Sequence, residues 1–248
     1  MYRFFVEKEQ IDREQRSIRI MNGDVNHIRN VLRMKKGEKV LISDGEDEEY
    51  LCCVEQLSQA QVLLHIDDIM KADRELPSRI YLFQGLPKSD KMEMIIQKAV
   101  ELGVYEIIPV ETRRCVVKLD AKKQESKIRR WQGIAESAAK QSKRMIIPQI
   151  HPVMKYSQAL RYAQEMDIRI IPYELAEDME HTRNYLSQIQ PGQSVAVFIG
   201  PEGGFAPEEI EEALKNQTEP VTLGKRILRT ETAGLTILSV LMVLLEGK

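Results

Sequence analysis

The hydrophobic pattern of the chain changes near residue 72. Before that point, short runs of aliphatic, aromatic and β-branched residues are separated by breakers such as Gly37 and Gly45. Runs bounded by turn residues are typical of β-strands. Their spacing predicts a small antiparallel β-barrel. The predicted strands are residues 2–6, 17–21, 39–43, 50–54 and 61–66, with a short helix at residues 26–33.

After a charged segment that ends at Pro77, predicted strands and helices alternate. Apolar residues recur at helical spacing from Met92 to Leu102, and Gly103 supplies a helix stop. Such alternation predicts an α/β domain with a parallel sheet. We place the boundary between two domains, residues 1–72 and 73–248. Further strands are predicted at residues 79–83, 106–110, 144–148, 168–174 and 195–199, and helices at residues 157–166 and 182–190.

Two stretches near the C-terminus each combine a short apolar strand, a glycine-bearing bend and a helix start. The first bend is IGPEGGF at residues 199–205, and the second is LGKRILRTETA at residues 223–233. Glycine allows a backbone to approach a ligand closely and to adopt positive φ. Open α/β sheets bind ligands at the carboxyl ends of their strands, where both bends are predicted to lie. The pattern predicts a pocket between the two bends; a purely structural turn is the alternative for the Gly-Gly pair.

Well-known phosphate-binding and dinucleotide-binding motifs do not describe these bends. A P-loop requires a lysine and a hydroxyl residue after its glycines, whereas this chain has Phe205 and Ala206. Neither bend contains the GxGxxG fingerprint of a Rossmann fold. No arrangement of nucleophile, base and acid stands out near the bends. The remaining interpretation is a loop that holds a small molecule through its backbone groups.

The composition is that of a globular protein, with 43% hydrophobic and 30% charged residues over 248 positions. The N-terminus lacks the pattern of a secretory signal, and the most apolar run, residues 233–245, is too short to span a bilayer. Three cysteines, Cys52, Cys53 and Cys115, form neither a CxxC motif nor a group with histidine. We therefore expect a cytoplasmic protein without a membrane segment, a disulfide framework or a metal site.

A strongly basic segment lies within a chain whose net charge is only −2. Residues 113–144 contain eleven basic and three acidic residues, which is a local excess of eight positive charges. A local patch inside a balanced protein is the electrostatic footprint of nucleic-acid binding. An ordinary solvated helix face is the alternative.

The two bends together make the chain recognisable. They resemble the bacterial small-subunit ribosomal RNA uridine-N3 methyltransferases, the RsmE family, which belong to the SPOUT class of knotted methyltransferases. The similarity continues in residues 91–103 (KMEMIIQKAVELG), 141–144 (QSKR) and 3–5 (RFF), so it spans nearly the whole chain. One departure is Ala206, where the family pattern suggests a serine or threonine helix cap. This departure costs some helix stability and leaves the pocket assignment intact.

The resemblance implies both a fold and a methyl donor. An N-terminal PUA-like β-barrel would help to bind RNA, and an α/β methyltransferase domain would contain a deep trefoil knot. It also implies a homodimer with the pocket beside the subunit interface, and no metal. S-adenosylmethionine would lie in the knot, in contact with Glu174, Ile199, Gly200, Gly204, Leu223, Gly224, Ile227, Leu228, Thr232 and Ala233.

The reaction implied by the resemblance is methylation of N3 of a specific uridine in 16S ribosomal RNA, with the small ribosomal subunit as the partner. N3 must lose its proton as it attacks the methyl carbon, and negative charge then spreads onto O2 and O4 of the base. A positioned cation beside those oxygens would stabilise that charge. We expect Arg229, or Arg3 from the barrel, to supply the cation. The expected RNA contacts are Arg3, Arg29, Arg33, Arg113, Arg114 and Arg144.

Two other functions remain open from the sequence. The first keeps the fold and the methyl donor but changes the target to another ribosomal or transfer RNA nucleotide, or to a ribose 2′-hydroxyl. The second is a non-catalytic RNA-binding assembly factor. Binding of S-adenosylmethionine would distinguish the second from the others.

Overall fold

The fold is described from a computed structural model of the chain, in which residues 1–21, 23–46, 48–71, 74–176 and 178–246 are described. The chain divides into two compact units. The first consists of Met1–Glu75 and Ala139–Ile147, and the second of Leu76–Ala138 and Pro148–Lys248. The proposed domain boundary falls between residues 72 and 73, which lie outside the described residues, so it stays a prediction.

A six-stranded sheet forms the first unit, in the spatial order β1-β4-β5-β6-β3-β2. All neighbouring strands are antiparallel except β1 and β4, which are parallel. All five predicted strands are present, but the parallel pair was not expected. A sixth strand of only two residues, β2, was too short to recognise. The strands are β1 Arg3–Phe5, β2 Ile11–Asp12, β3 Ser17–Met21, β4 Lys39–Ser43, β5 Glu48–Leu57 and β6 Gln61–Lys71.

Alternating burial along these strands builds the core of the first unit. In β3, Ile18 and Ile20 are buried, whereas Arg19 and Met21 are exposed. This is the period of two that a sheet with one covered face requires. The short helix α1, Gly23–Asn26, continues into a wider π-helical turn, His27–Val31, so it begins earlier than predicted.

The segment Ala139–Ile147 completes the first unit, and the strand predicted at residues 144–148 is wrong. The backbone of this segment bonds to side chains instead of to a neighbouring strand. The Met145 N–H donates to Glu75 Oε1 at 2.8 Å, and Ser43 Oγ donates to the Met145 carbonyl at 2.8 Å. Because these partners satisfy its buried polar groups, the apolar run has no need of a sheet.

Two buried ion pairs also hold this segment. The side chains of Arg3 and Glu49 are each only 2% exposed where they pair, and Arg3 Nη1 donates to the Lys143 carbonyl at 2.8 Å. The Arg144 side chain pairs with Glu75 and is 4% exposed. Neither guanidinium reaches solvent from this position. This burial argues against the expected RNA contacts of Arg3 and Arg144, and against a catalytic role for Arg3; both arginines stabilise the first unit instead.

The second unit is an α/β layer structure with a parallel sheet in the order β10-β8-β7-β12-β11-β13, where β9 also pairs with β8. The predicted fold class is thereby confirmed. No helix in the described part of the chain is long and apolar enough to cross a membrane. The strands are β7 Arg79–Gly85, β8 Glu106–Glu111, β9 Gln149–Ile150, β10 Met154–Lys155, β11 Ile168–Pro172, β12 Ser194–Ile199 and β13 Glu219–Val221. The helices are α2 Lys91–Glu101, α3 Ala121–Ser142, α4 Tyr156–Ala163, α5 Met179–Ser187, α6 Pro207–Lys215 and α7 Thr230–Leu245.

The last helix brings the chain back across the sheet. After the edge strand β13, α7 packs against α2, which follows the more central strand β7. Thr230 at the start of α7 contacts Gln84 of β7. The chain therefore crosses from the edge of the sheet back toward its centre between β13 and α7.

The buried pair of Arg3 and Glu49 gives a first prediction. Replacing Arg3 by leucine leaves the Glu49 carboxylate in the interior without its closest partner, so the free energy of unfolding should fall by about 3–5 kcal/mol. Urea denaturation measures this change. Lys8→Met is the control, because the Lys8–Glu46 pair is about 60% exposed and its loss should cost less than about 1 kcal/mol. Equal, small effects of the two variants would contradict a structural role for Arg3.

Candidate ligand-binding site

The two glycine-bearing bends meet around one cavity of about 340 Å³ in the second unit. This volume is within the range of small-molecule sites. The cavity lies beyond the carboxyl ends of β11 and β12, where an open α/β sheet is expected to bind its ligand. Its walls are residues 172–174, 199–202, 222–224 and 226–230, together with Lys91, Gly204 and Ala233.

Very close backbone contacts shape the first bend. A Cβ atom added to Gly85, the last residue of β7, would lie 2.7 Å from the Pro201 nitrogen. A Cβ atom added to Gly200 would lie 3.1 Å from the Gly204 Cα. Backbone atoms cannot move aside as a flexible side chain can. Space therefore excludes a side chain at Gly85, and at Gly200 a side chain would have to displace the backbone of Gly204 by a few tenths of an ångström.

Helix α6 begins directly after this bend without a hydroxyl cap. The Glu209 N–H, which such a hydroxyl would accept, donates to the Ala206 carbonyl at 3.0 Å instead. The buried side chain of Glu209 accepts two further backbone donors: Oε2 accepts the Ala206 N–H at 2.8 Å, and Oε1 accepts the Arg113 N–H at 2.8 Å. One carboxylate thus satisfies a backbone donor before the helix and another on a neighbouring loop. This explains how Ala206 is tolerated where the family pattern suggests serine or threonine.

A cluster of three charged side chains lies at the rim of the cavity. The Lys91 Nζ atom is 3.0 Å from Glu202 Oε1 and 3.3 Å from Glu231 Oε2. Burial alone would raise the pKa of Glu202, but hydrogen bonds from backbone N–H groups and from Lys91 outweigh it and lower that pKa below its ordinary 4.5. The hydrogen bond to Glu202 raises the pKa of Lys91. At neutral pH Lys91 and Glu202 are therefore both ionised. The cluster joins α2, the first bend and the first turn of α7.

Nine of the ten residues expected to bind the methyl donor line the cavity: Glu174, Ile199, Gly200, Gly204, Leu223, Gly224, Ile227, Leu228 and Ala233. The tenth, Thr232, does not. It is exposed, and its carbonyl accepts the hydroxyl of Thr236. That these residues bind the donor stays a prediction.

Eight further residues of the cavity wall were not singled out from the sequence. Five of them lie directly next to residues that were predicted, so the same sequence segments pointed to them. Lys91 had no such signal, because it comes from a different helix and reaches the cavity only through the fold. The eight are Lys91, Pro172, Tyr173, Pro201, Glu202, Thr222, Arg226 and Thr230.

The candidate arginines differ in their surroundings. Arg229 is exposed, lines the cavity and has no side-chain partner among the described residues. Arg114 Nη1 donates to the Gly203 carbonyl at 2.8 Å, and the largely exposed Arg113 lies 3.4 Å from Glu208. In the first unit, Arg33 is exposed with a φ of 53°, and Arg29 is half-buried.

The chemistry of the cavity follows from its wall. Backbone groups and apolar side chains dominate it, with carboxylates and arginines at the edge. Among the described residues that line it, none is a serine, cysteine or histidine. A covalent intermediate on such a side chain is therefore not supported. The arrangement suits noncovalent binding of a small molecule.

Two family models match the chain. One, described as an RNA methyltransferase domain, covers residues 74–242, and the other, described as an RNA methyltransferase PUA domain, covers residues 21–67.

Relatives match over nearly the full length. Ribosomal RNA small subunit methyltransferase E of Bacillus subtilis (strain 168) is 37% identical over 244 residues, 96% of this chain and 95% of the relative. The protein of the same name from Mesomycoplasma hyopneumoniae (strain 232) is 34% identical over 96% of this chain and 98% of its own length. A crystal structure of a ribosomal RNA small subunit methyltransferase E from Neisseria gonorrhoeae, bound to S-adenosyl methionine, matches with a TM-score of 0.85 and 31% identity over 98% of each chain.

The close contact at Gly85 gives a second prediction. Gly85→Ala forces its methyl group against the backbone of Pro201, so we expect a loss of about 1–3 kcal/mol in the free energy of unfolding. Gly133→Ala is the matched control, because nothing lies within 4 Å of its added Cβ in the middle of α3. That change should stabilise the protein by roughly 0.5–1 kcal/mol. Denaturant titration of both variants checks the contrast, and equal stabilities would refute the packing argument.

Proposed function

The chain belongs to the ribosomal RNA small subunit methyltransferase E family, and from this premise we propose that it methylates N3 of a specific uridine in 16S ribosomal RNA, using S-adenosylmethionine. The observation that carries the proposal is the cavity enclosed by the two bends, residues 199–205 and 223–233. The two segments are separated in sequence and meet at one site.

The residues of the cavity fit S-adenosylmethionine. Gly200, Gly204 and Gly224 expose backbone groups that can hydrogen-bond to a flat heterocycle, and Leu223 and Leu228 supply apolar walls. Glu174 is exposed at the same cavity, and its carboxylate can pair with a positive group of the ligand. When bound, the cofactor supplies a methyl carbon made electrophilic by a positive sulfur.

Arg229 is the proposed catalytic residue. The uracil ring gains negative charge on O2 and O4 as N3 loses its proton, and a guanidinium beside those oxygens stabilises that charge. Arg229 borders the cavity at the start of α7, and no carboxylate among the described residues pairs with it. The N–H groups of its guanidinium can therefore hydrogen-bond to the base without first breaking an ion pair.

Phosphate contacts are proposed for Arg29 and Arg33 in the first unit and for Arg113 and Arg114 in the second. Arg33, Arg113 and Arg114 are exposed, as a phosphate contact requires. Arg114 also touches the first bend through Gly203, which would bring bound RNA near the cavity. The target uridine must leave its stack to reach the methyl group, as is general for enzymes that act on a base.

A homodimer is proposed as the working form, acting within the small ribosomal subunit. Helix α7 is apolar on nearly all sides, although only part of it is buried. Val243 is 71% exposed and Val240 38% exposed, and Met94 of the adjacent α2 is 41% exposed. Helices that are apolar all round are normally covered, and a second copy of the same face is the simplest cover.

A third prediction tests the reaction itself. The wild-type protein should bind S-adenosylmethionine in isothermal titration calorimetry and should form 3-methyluridine in 16S ribosomal RNA or small subunits from cells that lack the gene. Arg229→Ala should lower the rate of methyl transfer by about 100- to 1,000-fold, as for loss of one charge-stabilising donor. Its affinity for S-adenosylmethionine should change by about twofold or less.

Arg161→Ala is the control for this experiment, because Arg161 is an exposed arginine of α4 away from the cavity wall. No heat of binding with the wild-type protein would favour the non-catalytic RNA-binding function. A methylated product other than 3-methyluridine would change the target. Full activity of Arg229→Ala would remove this residue from the mechanism.

A fourth prediction concerns the homodimer. Val243→Glu places a charge on the exposed apolar face of α7, so sedimentation velocity should shift from dimer to monomer. Val31→Glu, at a similarly exposed valine of the first unit, should leave the sedimentation coefficient unchanged. A Val243→Glu protein that remains dimeric would place the interface elsewhere.

A further inference from the structure

A buried glutamine stands out in the apolar strand β7. Ile80, Leu82 and Phe83 are fully buried aliphatic and aromatic residues, and Gln84 is as buried as they are, with 0% of its surface exposed. Burying an amide costs free energy unless it is hydrogen-bonded. The partners of Gln84 therefore indicate why an amide stands here.

Gln84 begins a short chain of hydrogen bonds that ends at the cavity. Its Nε2 atom donates to the Gly85 carbonyl at 2.9 Å and to Thr230 Oγ1 at 2.9 Å. The Thr230 hydroxyl then donates to the Gly200 carbonyl at 2.6 Å. Thr230 and Gly200 both line the cavity.

The direction of these bonds is fixed by chemistry. The Gly85 carbonyl can only accept, so the amide atom facing it is the nitrogen. Because that nitrogen also donates to the Thr230 oxygen, the hydroxyl hydrogen is free to point at the Gly200 carbonyl. Each group has one role, and replacing either side chain by an apolar one of similar shape interrupts the chain of bonds.

This chain of hydrogen bonds joins three segments that are distant in sequence: the end of β7, the first bend and the first turn of α7. Helix α7 passes beside Gln84 at this point: a Cβ atom added to Gly234 of α7 would make ordinary contacts, 3.6 Å from Gln84 Oε1 and 3.8 Å from the Ile199 side chain.

We propose that Gln84 and Thr230 are positioning residues that hold the first bend against the start of α7, so that the cavity has its binding shape before the methyl donor arrives. The inference rests on the proposed function of this cavity. Gly200, Gly203 and Gly204 give the bend more backbone freedom than other residues would. A restraint on the Gly200 carbonyl removes part of that freedom in advance, and preorganisation of this kind increases affinity.

The consequence for mutants is specific. Losing one hydrogen bond to a backbone carbonyl should weaken binding of S-adenosylmethionine by about five- to tenfold. In the ligand-free protein, amide hydrogens of residues 199–205 should exchange faster, because the bend opens more often. A group that served stability alone would lower the melting temperature and leave ligand affinity and local exchange of the folded protein unchanged.

A fifth prediction uses a matched set of variants. Thr230→Val keeps the shape of the side chain and removes the hydroxyl, so it should show both effects. Thr230→Ser keeps the hydroxyl and should restore wild-type affinity to within about twofold. Thr218→Val is the control, because Thr218 is equally buried but its hydroxyl has no hydrogen-bond partner among the described residues. Calorimetry and hydrogen exchange are measured on each full-length protein.

Gln84→Met tests the same chain of hydrogen bonds independently. It removes the amide donor, and the methionine side chain fills the space that the glutamine occupied. It should weaken binding as Thr230→Val does, and the double variant should be no weaker than either single one. Wild-type affinity and wild-type exchange in Thr230→Val would overturn the inference, as would equal defects in Thr230→Ser. Loss of the fold in both Thr230→Val and Gln84→Met would assign the pair to stability and overturn the positioning role.

The two readouts separate this inference from the function on which it rests. If the wild-type protein binds no S-adenosylmethionine, the proposed function fails. Faster exchange of residues 199–205 in the ligand-free Thr230→Val protein, reversed in Thr230→Ser, would still support the positioning role. Normal exchange there would overturn it whatever the wild-type protein binds.

Discussion

Direct contact between backbones at the ends of β7 and β12 is the constraint on which the second unit depends. Pro201 sits where a Cβ on Gly85 would be, and the two ends of the first bend nearly touch at Gly200 and Gly204. These contacts limit the path of the bend, and the cavity lies between that path and the second bend. The glycines of the bend leave some backbone freedom within this limit. Hydrogen bonds and ion pairs then reduce the freedom that remains.

Polar contacts complete the arrangement by joining segments that are far apart in sequence. Lys91 connects Glu202 of the first bend to Glu231 of α7, and the bond between Thr230 and Gly200 connects the same two elements deeper inside. The outer contact is ionic and partly solvated, so salt weakens it. The inner one joins two uncharged groups, so it is insensitive to salt. Together they restrain the cavity at its rim and at its base.

Local patterns predicted most of the fold, because β3 alternates between buried and exposed residues and the glycine-bearing bends mark two strand ends. Predictions failed where the partner of a group is distant in sequence. The run at residues 144–148 reads as a strand, yet Glu75 and Ser43 satisfy its backbone. Arg3 and Arg144 were expected to contact RNA, but both side chains are buried and pair with Glu49 and Glu75.

At the site, the sequence motif predicted the right segment but not which of its residues face the cavity. Both threonines of the second motif belong to the right segment, but Thr230 borders the cavity and Thr232 does not. A helix turns about 100° per residue, so two positions are enough to carry a side chain off the wall. The residue at which helix α7 begins determines which side chains of this segment face the cavity.

The first unit is discontinuous in the chain, since its final piece is Ala139–Ile147. During synthesis the six strands are complete by residue 71, while Glu75 still lacks Arg144 and Arg3 lacks the carbonyl of Lys143. About seventy further residues must emerge before these groups find their partners. The N-terminal unit therefore begins to fold first but cannot finish until more than half of the protein has been made.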